Sequence, residues 1–435
     1  MSTTAAARST TPAGPPPAPS LRRRRDALFL LFFLMGLAMA SWVARTPDMR
    51  DLLGASTGEM GLVLLGLAGG SMAGILLAGV AVARRGPRAI STAGMALLVG
   101  GVVVVAVGAA VASRVLVTAG LALFGFGMGG ADVALNVAGA EVERELRRPT
   151  FPALHGCFSL GTLVGAAIGI GLTAIALAIE LHLLAIAVVV AAGAAYAVRS
   201  IAGPARGGSG DAAPATDAGD GSGAPATDAG DGAAPATAAG AGADAARRDD
   251  AVWRDPRLLA IGAIVLSLAL AEGAANDWLP LLMVDGHGLD PALGSAAYTV
   301  FAATMTIGRF GGGRFVARYG EAAVLRATAL ISALGIVLVS LVDSQPVSVA
   351  AVVLWGIGAS LGFPVALSAA GQSGPNTGAR VSTAATIGYV AFLVGPPALG
   401  ALGQHVGLRD AMLAVVALVV AASFLTPAAR PRPAA

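Results

Sequence analysis

Two carboxylic acids lie in the middle of long apolar stretches of the sequence. Asp132 is followed four residues later by Asn136, and Glu272 is followed four residues later by Asn276. On an α-helix this spacing places each acid and its amide on the same face, one turn apart. A charge at the centre of a bilayer costs at least about 2.5 to 3.5 kcal/mol unless it faces a cavity or a partner. Such acids can carry protons or bind a polar solute, and a purely structural hydrogen bond between helices is the alternative.

The sequence lacks the motifs of enzymes and of metal proteins. It contains no phosphate-binding loop, no pair of catalytic carboxylates and no nucleophile elbow. The four histidines are not spaced as metal ligands, and Cys157 is the only cysteine, so no disulfide can form within the chain. We therefore expect no catalytic residue, no metal and no cofactor, and we predict that the protein is not an enzyme.

The composition is that of a membrane protein. Of the 435 residues, 56% are apolar and only 12% are charged, whereas soluble domains carry about 25% charged residues. The 25 acidic and 28 basic side chains cannot cover the surface of a soluble protein of this length. The net charge of +3 is too small to indicate nucleic-acid binding. We therefore expect the protein to be embedded in a lipid bilayer.

Twelve apolar runs are long enough to cross that bilayer. A hydrocarbon core of about 30 Å requires about 20 helical residues. We therefore predict an all-α integral membrane protein with twelve transmembrane helices. The predicted spans cover residues 27–45, 58–83, 89–111, 115–139, 151–174, 177–198, 257–283, 292–316, 323–342, 346–370, 380–403 and 408–427.

A low-complexity segment divides the twelve spans into two sets of six. Between residues 203 and 250 the chain consists mainly of Gly, Ala, Asp, Pro and Thr. Such a segment has too little branched apolar surface to fold, so we predict a disordered cytoplasmic linker. The predicted parts are a disordered basic tail over 1–26, a six-helix bundle over 27–199, the linker over 200–256, a second six-helix bundle over 257–428 and a tail over 429–435.

The two halves repeat a loop that contains glycine and arginine. The string GVAVARRG at residues 79–86 follows the second span, and GRFVARYG at residues 313–320 follows the eighth. Both resemble the Gly-x-x-x-Asp-Arg-x-Gly loop signature of the major facilitator superfamily, with Ala83 and Ala317 at the Asp position. Longer strings around Trp42, His155, Trp278 and Pro396 are similar to fucose-permease-like members of this superfamily.

The resemblance implies a major-facilitator-type fold, in which two pseudo-symmetric six-helix bundles enclose a central cavity. The first, fourth, seventh and tenth spans would face that cavity. Proton coupling is assigned to Asp132 and Glu272. Arg309, inside the eighth span, is expected to extend toward the cytoplasmic headgroups, and a role in the gate at the eighth span is the alternative. The predicted cavity residues are Trp42, Asp132, Asn136, Glu272, Asn276, Asp277, Trp278 and Ser368.

The repeated loop would form a cytoplasmic gate. In the family, the Asp and Arg of the signature hold the two bundles together at this end. Because alanine replaces the Asp here, acids after the fourth span are the candidate partners of the arginines; the alternative is that the arginines only set topology and meet lipid phosphates. The predicted gate residues are Arg84, Arg85, Glu141, Glu143, His155, Arg314 and Arg318.

These features predict a secondary active transporter of the bacterial inner membrane. It would move a small polar organic solute, with a sugar-like solute favoured, by alternating access with proton coupling, and it would act as a monomer. With the N-terminus inside, 23 of the 28 arginines fall on the cytoplasmic side, which predicts cytoplasmic N- and C-termini. The alternatives are a proton-antiporting exporter of drugs or metabolites and a transporter-like membrane sensor without flux.

Overall fold

The described part of the chain consists of helices and short connections. A computed structural model describes residues 20–146, 151–201, 252–375 and 377–430. Within these ranges there are thirteen α-helices and no strand. They are α1 (Leu21–Val43), α2 (Thr46–Leu53), α3 (Thr57–Ala110), α4 (Arg114–Leu146), α5 (Phe151–Ala174), α6 (Ile179–Ala197), α7 (Pro256–His287), α8 (Pro291–Tyr319), α9 (Glu321–Leu341), α10 (Gln345–Ala359), α11 (Gly362–Gly371), α12 (Thr377–Val406) and α13 (Leu408–Leu425).

The described helices make twelve membrane crossings, as the sequence predicts. Ten helical segments of the described chain are long and apolar enough to cross a membrane, and α10 and α11 together form one of them. The 54-residue α3 crosses twice, because Gly86 adopts a left-handed φ of 80° and Pro87 then starts a new helical direction. The 29-residue α8 adds the twelfth crossing.

Two helices differ from the sequence prediction. The first starts at Leu21, six residues before the predicted span, where Ser20 caps it. Arg24 in its first turn reaches Glu145 at the end of α4, at 2.9 Å, which ties this turn to the bundle. The short helix α2 was not predicted; Pro47 favours its first turn, and Gly54 ends it in a left-handed conformation. The predicted linker lies mostly outside the described residues.

The second half starts at a capped and charged helix end. Asp255 accepts hydrogen bonds from the backbone amides of Arg257 and Leu258, and its carboxylate lies 2.5 Å from the guanidinium of Arg380 on α12. Burial raises the pKa of the Asp255 carboxyl, but the hydrogen bonds from Arg380 and Arg257 outweigh burial and hold that pKa below its ordinary value. This contact fixes the start of α7 against α12.

Close helix packing within the first bundle depends on glycine. A methyl group added at Gly161 of α5 would lie 2.0 Å from the carbonyl oxygen of Phe33 in α1, and one added at Gly70 of α3 would lie 2.0 Å from that of Ala122 in α4. Backbones approach this closely in membrane bundles where no side chain intervenes. Gly70 in the second span and Gly161 in the fifth span therefore allow close helix packing.

The chain forms two bundles that meet along a seam. Helices α1–α6 form the first bundle and α7–α13 form the second. Across the seam, α3 packs against α12 and α5 packs against α8. We call the end where α1 begins and α13 ends the proximal end, and the opposite end the distal end. The residues with functional interest lie along this seam.

Candidate functional site

The most prominent polar contact inside the helices is an ion pair between α7 and α8. The carboxylate of Glu272 lies 2.9 Å from the guanidinium of Arg309, and their side chains are 13% and 32% exposed. Both residues are close to the middle of their helices. Arg309 Nε also donates to the carbonyl oxygen of Ser360, at 3.4 Å, where the helix breaks between α10 and α11. Arg309 therefore pairs with Glu272 within the apolar layer. In this structure the Arg309 side chain does not extend toward the headgroups as the sequence suggested.

A second group of polar side chains continues from this pair along α7. The hydroxyl of Tyr298 on α8 donates to Asn276 Oδ1 at 3.4 Å. Asp277 lies next to Asn276 and within electrostatic range of Tyr298. Within the described part of the chain, the Asp277 carboxylate has no hydrogen bond and no ion pair. Asp277 is thus a carboxylate without a cation beside it.

The first bundle supplies a similar arrangement on α4. Asn136 donates to Asp132 Oδ2 at 3.2 Å, as the four-residue spacing predicts, and Asn136 Oδ1 is buried without a partner among the described residues. Tyr389 on α12 of the other bundle lies within electrostatic range of Asp132 and packs against Phe363. Asp132 therefore lies at the seam, facing an aromatic hydroxyl from the second bundle.

His155 connects the two bundles electrostatically. It lies on α5, its side chain is exposed, and the charge of Arg309 on α8 acts on it. Its ring makes an edge contact with Phe32 at 5.3 Å between centroids. The structure thus places His155 near the Glu272–Arg309 pair, whereas the sequence analysis assigned it to the gate.

The predicted gate residues do not meet across the seam in this conformation. Arg84, Arg85, Arg314 and Arg318 are exposed, and the described residues give none of them an ion pair. Glu141, a proposed partner, lies 3.4 Å from Arg24. Glu143 lies on the same last turns of α4. The proximal ends of the two bundles are therefore not held together by these arginines.

The distal ends of the bundles are in contact. Arg50 on α2 forms an ion pair with Asp285 on α7. The hydroxyl of Ser295 on α8 donates to the carbonyl oxygen of Ala44 at 2.5 Å. A methyl group at Gly61 of α3 would lie 2.8 Å from the carbonyl oxygen of Pro396 on α12, so these backbones touch. We call this set of contacts the distal gate, and it is closed. Arg309 keeps 32% of its side chain exposed while these distal contacts are made.

The remaining predicted cavity residues are Trp42, Trp278 and Ser368. Trp278 and Trp42 are buried among helices, with 0% and 3% exposure, so neither belongs to a belt of aromatic residues facing the headgroups. The Ser368 hydroxyl donates to Glu321 at 2.7 Å, near the start of α9 at the proximal end. The structure therefore does not bring Ser368 to the group formed by Glu272 and Arg309.

Several residues that make contacts at the site were not predicted from the sequence. The partners Arg309, Tyr298 and Tyr389 were not among the predicted cavity residues, and the Arg50–Asp285 pair was not anticipated. An arginine inside an apolar span was the available signal for the first of these, because such a charge normally has a partner. The sequence gives no comparable signal for the two tyrosines.

A match to a family model identifies the superfamily of this two-bundle membrane protein. Residues 28–388 match the model of the Major Facilitator Superfamily. The chain belongs to this superfamily. It is 30% identical over 401 residues to an uncharacterized MFS-type transporter of Yersinia pestis, which covers 91% of this chain and 93% of the relative. It is 24% identical over 394 residues to the membrane protein MosC of Rhizobium meliloti, which covers 89% and 86% of the two chains.

Solved structures of superfamily members share the fold. The nucleoside transporter NupG aligns with a TM-score of 0.67 at 14% identity, over 93% of this chain and 98% of NupG. The Escherichia coli fucose:proton symporter FucP aligns with a TM-score of 0.60 at 16% identity, over 94% and 98% of the two chains. This superfamily member is a multi-pass membrane protein of the secondary-transporter class, and it is not an enzyme.

Proposed function

We propose that the protein moves a small polar organic solute across the bacterial inner membrane by alternating access, coupled to protons. The observation that carries this proposal is the Glu272–Arg309 ion pair, which lies mid-helix at the seam while the distal gate is closed. Ionisable groups in the apolar layer are costly and typically mark a solute or ion pathway. We propose that the protein acts as a monomer.

The orientation follows from the arginines. With the proximal end in the cytoplasm, 23 of the 28 arginines of the sequence lie on the cytoplasmic side, and positively charged loops are retained there. The closed distal gate then faces away from the cytoplasm, and this conformation would be the one that presents the site to the cytoplasm. Rocking of the two bundles about the seam would open the distal gate and bring the proximal arginines together.

The solute class is supported by the groups at the seam. Carboxylates, amides and the hydroxyls of Tyr298 and Tyr389 can hydrogen-bond a hydroxylated solute, and aromatic rings can pack on its apolar faces. Two proteins with the same fold are named for hydroxyl-rich solutes, a nucleoside transporter and a fucose:proton symporter. A sugar-like solute is therefore favoured over a bulky apolar drug.

Proton coupling is proposed for Asp132 and Glu272. Asp132 lacks a cationic neighbour, so it can accept a proton without breaking an ion pair. Glu272 is paired with Arg309 in the present state, so it accepts a proton only after Arg309 moves away. Because α7 and α8 belong to the same bundle, that separation requires the Arg309 side chain to move within the second bundle.

The direct test is solute flux into proteoliposomes that contain the purified protein. A panel of sugars, nucleosides, amines and cationic drugs would be screened for counterflow, and each hit for accumulation driven by an imposed proton gradient. We expect at least one hydroxylated solute to be exchanged and accumulated. Solute binding without counterflow would favour the membrane sensor, and flux restricted to hydrophobic cations moving against the proton gradient would favour the exporter.

A further inference from the structure

The charges at the seam are not balanced. Arg309 is the cation of the site, and its charge is matched by Glu272 at 2.9 Å. Asp132 and Asp277 remain, and among the described residues neither has an ion pair. The neutral groups that face them are the hydroxyl of Tyr298 for Asp277 and the hydroxyl of Tyr389 for Asp132. Two carboxylates are thus left without a fixed counter-charge.

Arg309 is not free to receive an anionic solute. Its guanidinium donates to Glu272 on one side and its Nε donates to the carbonyl oxygen of Ser360 on the other. A carboxylate or phosphate on a solute would have to displace Glu272, which would leave a third uncompensated acid. Because charges interact more strongly inside a protein than in water, that displacement is unfavourable.

Each uncompensated acid has neutral polar neighbours that could complete a binding site for an ammonium group. Asp132 has Asn136 beside it and Tyr389 opposite, and Asp277 has Asn276 beside it and Tyr298 opposite. Each of the two acids therefore has one Asn and one Tyr as neighbours, and both tyrosines belong to the second bundle. An ammonium group could donate to the carboxylate and to an amide or phenolic oxygen at either place.

We propose that the site selects its solute by charge: it admits hydroxylated solutes that carry a protonated amine and excludes those that carry a carboxylate or phosphate. Asp132 and Asp277 are the specificity-determining residues. This inference rests on the proposed function, since it names the solute class of the same site. The negative potential that this proposal requires can be measured without any solute.

The experiment measures this potential at a reporter thiol. In a Cys157→Ser background, Asn276→Cys places the thiol beside Asp277. Its reaction rate is measured with a cationic trimethylammonium methanethiosulfonate and with an anionic sulfonate analogue of similar size. The ratio of the two rates is divided by the ratio for a small free thiol. We expect a normalised ratio of about 10 in favour of the cation, because a negative cleft concentrates counter-ions by this order or more.

Charge-neutralising variants assign the effect to the two acids. Asp277→Asn and Asp132→Asn should each lower the normalised ratio at least about threefold. Asp343→Asn is the matched control: it removes the same charge from a side chain that is 92% exposed at the distal end, and it should leave the ratio unchanged. If Asp277→Asn does not fold, Asp132→Asn still carries the test.

Several results would overturn the inference. A normalised ratio of one or below, a ratio unchanged in both Asp variants, or a thiol that reacts with neither reagent would each contradict it. The proposed function can fail separately. The protein could show a negative potential that depends on Asp132 and Asp277 and yet exchange no solute of the panel. That result would refute transport but would support the charge assignment.

Discussion

Neutralising either member of the Glu272–Arg309 pair is expected to abolish transport and to destabilise the protein. Glu272→Gln leaves the Arg309 guanidinium without a carboxylate in the apolar layer. Arg309→Gln leaves the Glu272 carboxylate there without a cation. Removing one partner of a buried pair costs about 3 to 5 kcal/mol, and the partial exposure of Arg309 places the expected value at the lower limit. The measurement is thermal unfolding in lipid nanodiscs, together with counterflow of a solute found in the flux screen.

The double variant separates an unpaired charge from a general loss of packing. With Glu272→Gln and Arg309→Gln combined, two neutral amides face each other and no charge is buried, so much of the stability should return while transport stays absent. The Glu59–Arg114 pair, whose side chains are 44% and 41% exposed, provides the control, and its neutralisation should change stability far less. Losses that simply add in the double variant would show that the pair is not coupled.

Asp132→Asn is expected to abolish accumulation driven by a proton gradient while solute exchange continues. An amide can hydrogen-bond the solute as a protonated acid does, but it cannot release a proton. Counterflow at a saturating solute concentration should therefore continue, although solute binding is weaker without the carboxylate charge, whereas uptake against a solute gradient should fall to background. Glu145→Gln, which removes an acid at the end of the same helix, should keep both activities.

Accumulation that continues undiminished in Asp132→Asn and also in Glu272→Gln would refute proton coupling through these acids. A passive facilitator, or coupling to another ion, would then be the better account. Loss of both exchange and accumulation in Asp132→Asn alone would instead show that solute cannot bind without the Asp132 carboxylate, and the effect would then give no evidence of proton coupling.

Elements that depend on local sequence could be predicted. The twelve crossings follow from runs of about 20 apolar residues, and the kink between the second and third follows from the adjacent Gly86 and Pro87. The Asp132–Asn136 contact follows from helical spacing. In each of these cases the interacting groups lie within one or two turns, so the sequence contains the necessary distances.

Contacts between distant helices could not be predicted in the same way. Glu272 and Arg309 are 37 residues apart, and Arg50 and Asp285 are 235 residues apart. Whether they meet depends on how each helix is rotated and on which end of the seam is closed. The gate arginines illustrate the second point, because their partners depend on a conformation in which the proximal ends approach. The short α2 is similar: its sequence lies between two spans and has no long apolar run.

The central claim is that one site is exposed at each side in turn, and double electron–electron resonance tests it most directly. In a Cys157→Ser background, one label pair replaces the exposed residues Leu52 and Asp343 at the distal end. A second pair replaces the exposed residues Ala89 and Ala323 at the proximal end. The substitution Asp285→Ala, which removes the carboxylate of the distal gate, is compared with the unmodified gate for both pairs.

We predict two distance populations for each pair, with opposite responses to the substitution. Breaking the distal gate should lengthen the main distal distance and shorten the main proximal one, because the two bundles rock about the seam. A single distance at each end that Asp285→Ala leaves unchanged, or lengthening at both ends together, would contradict alternating access by this protein.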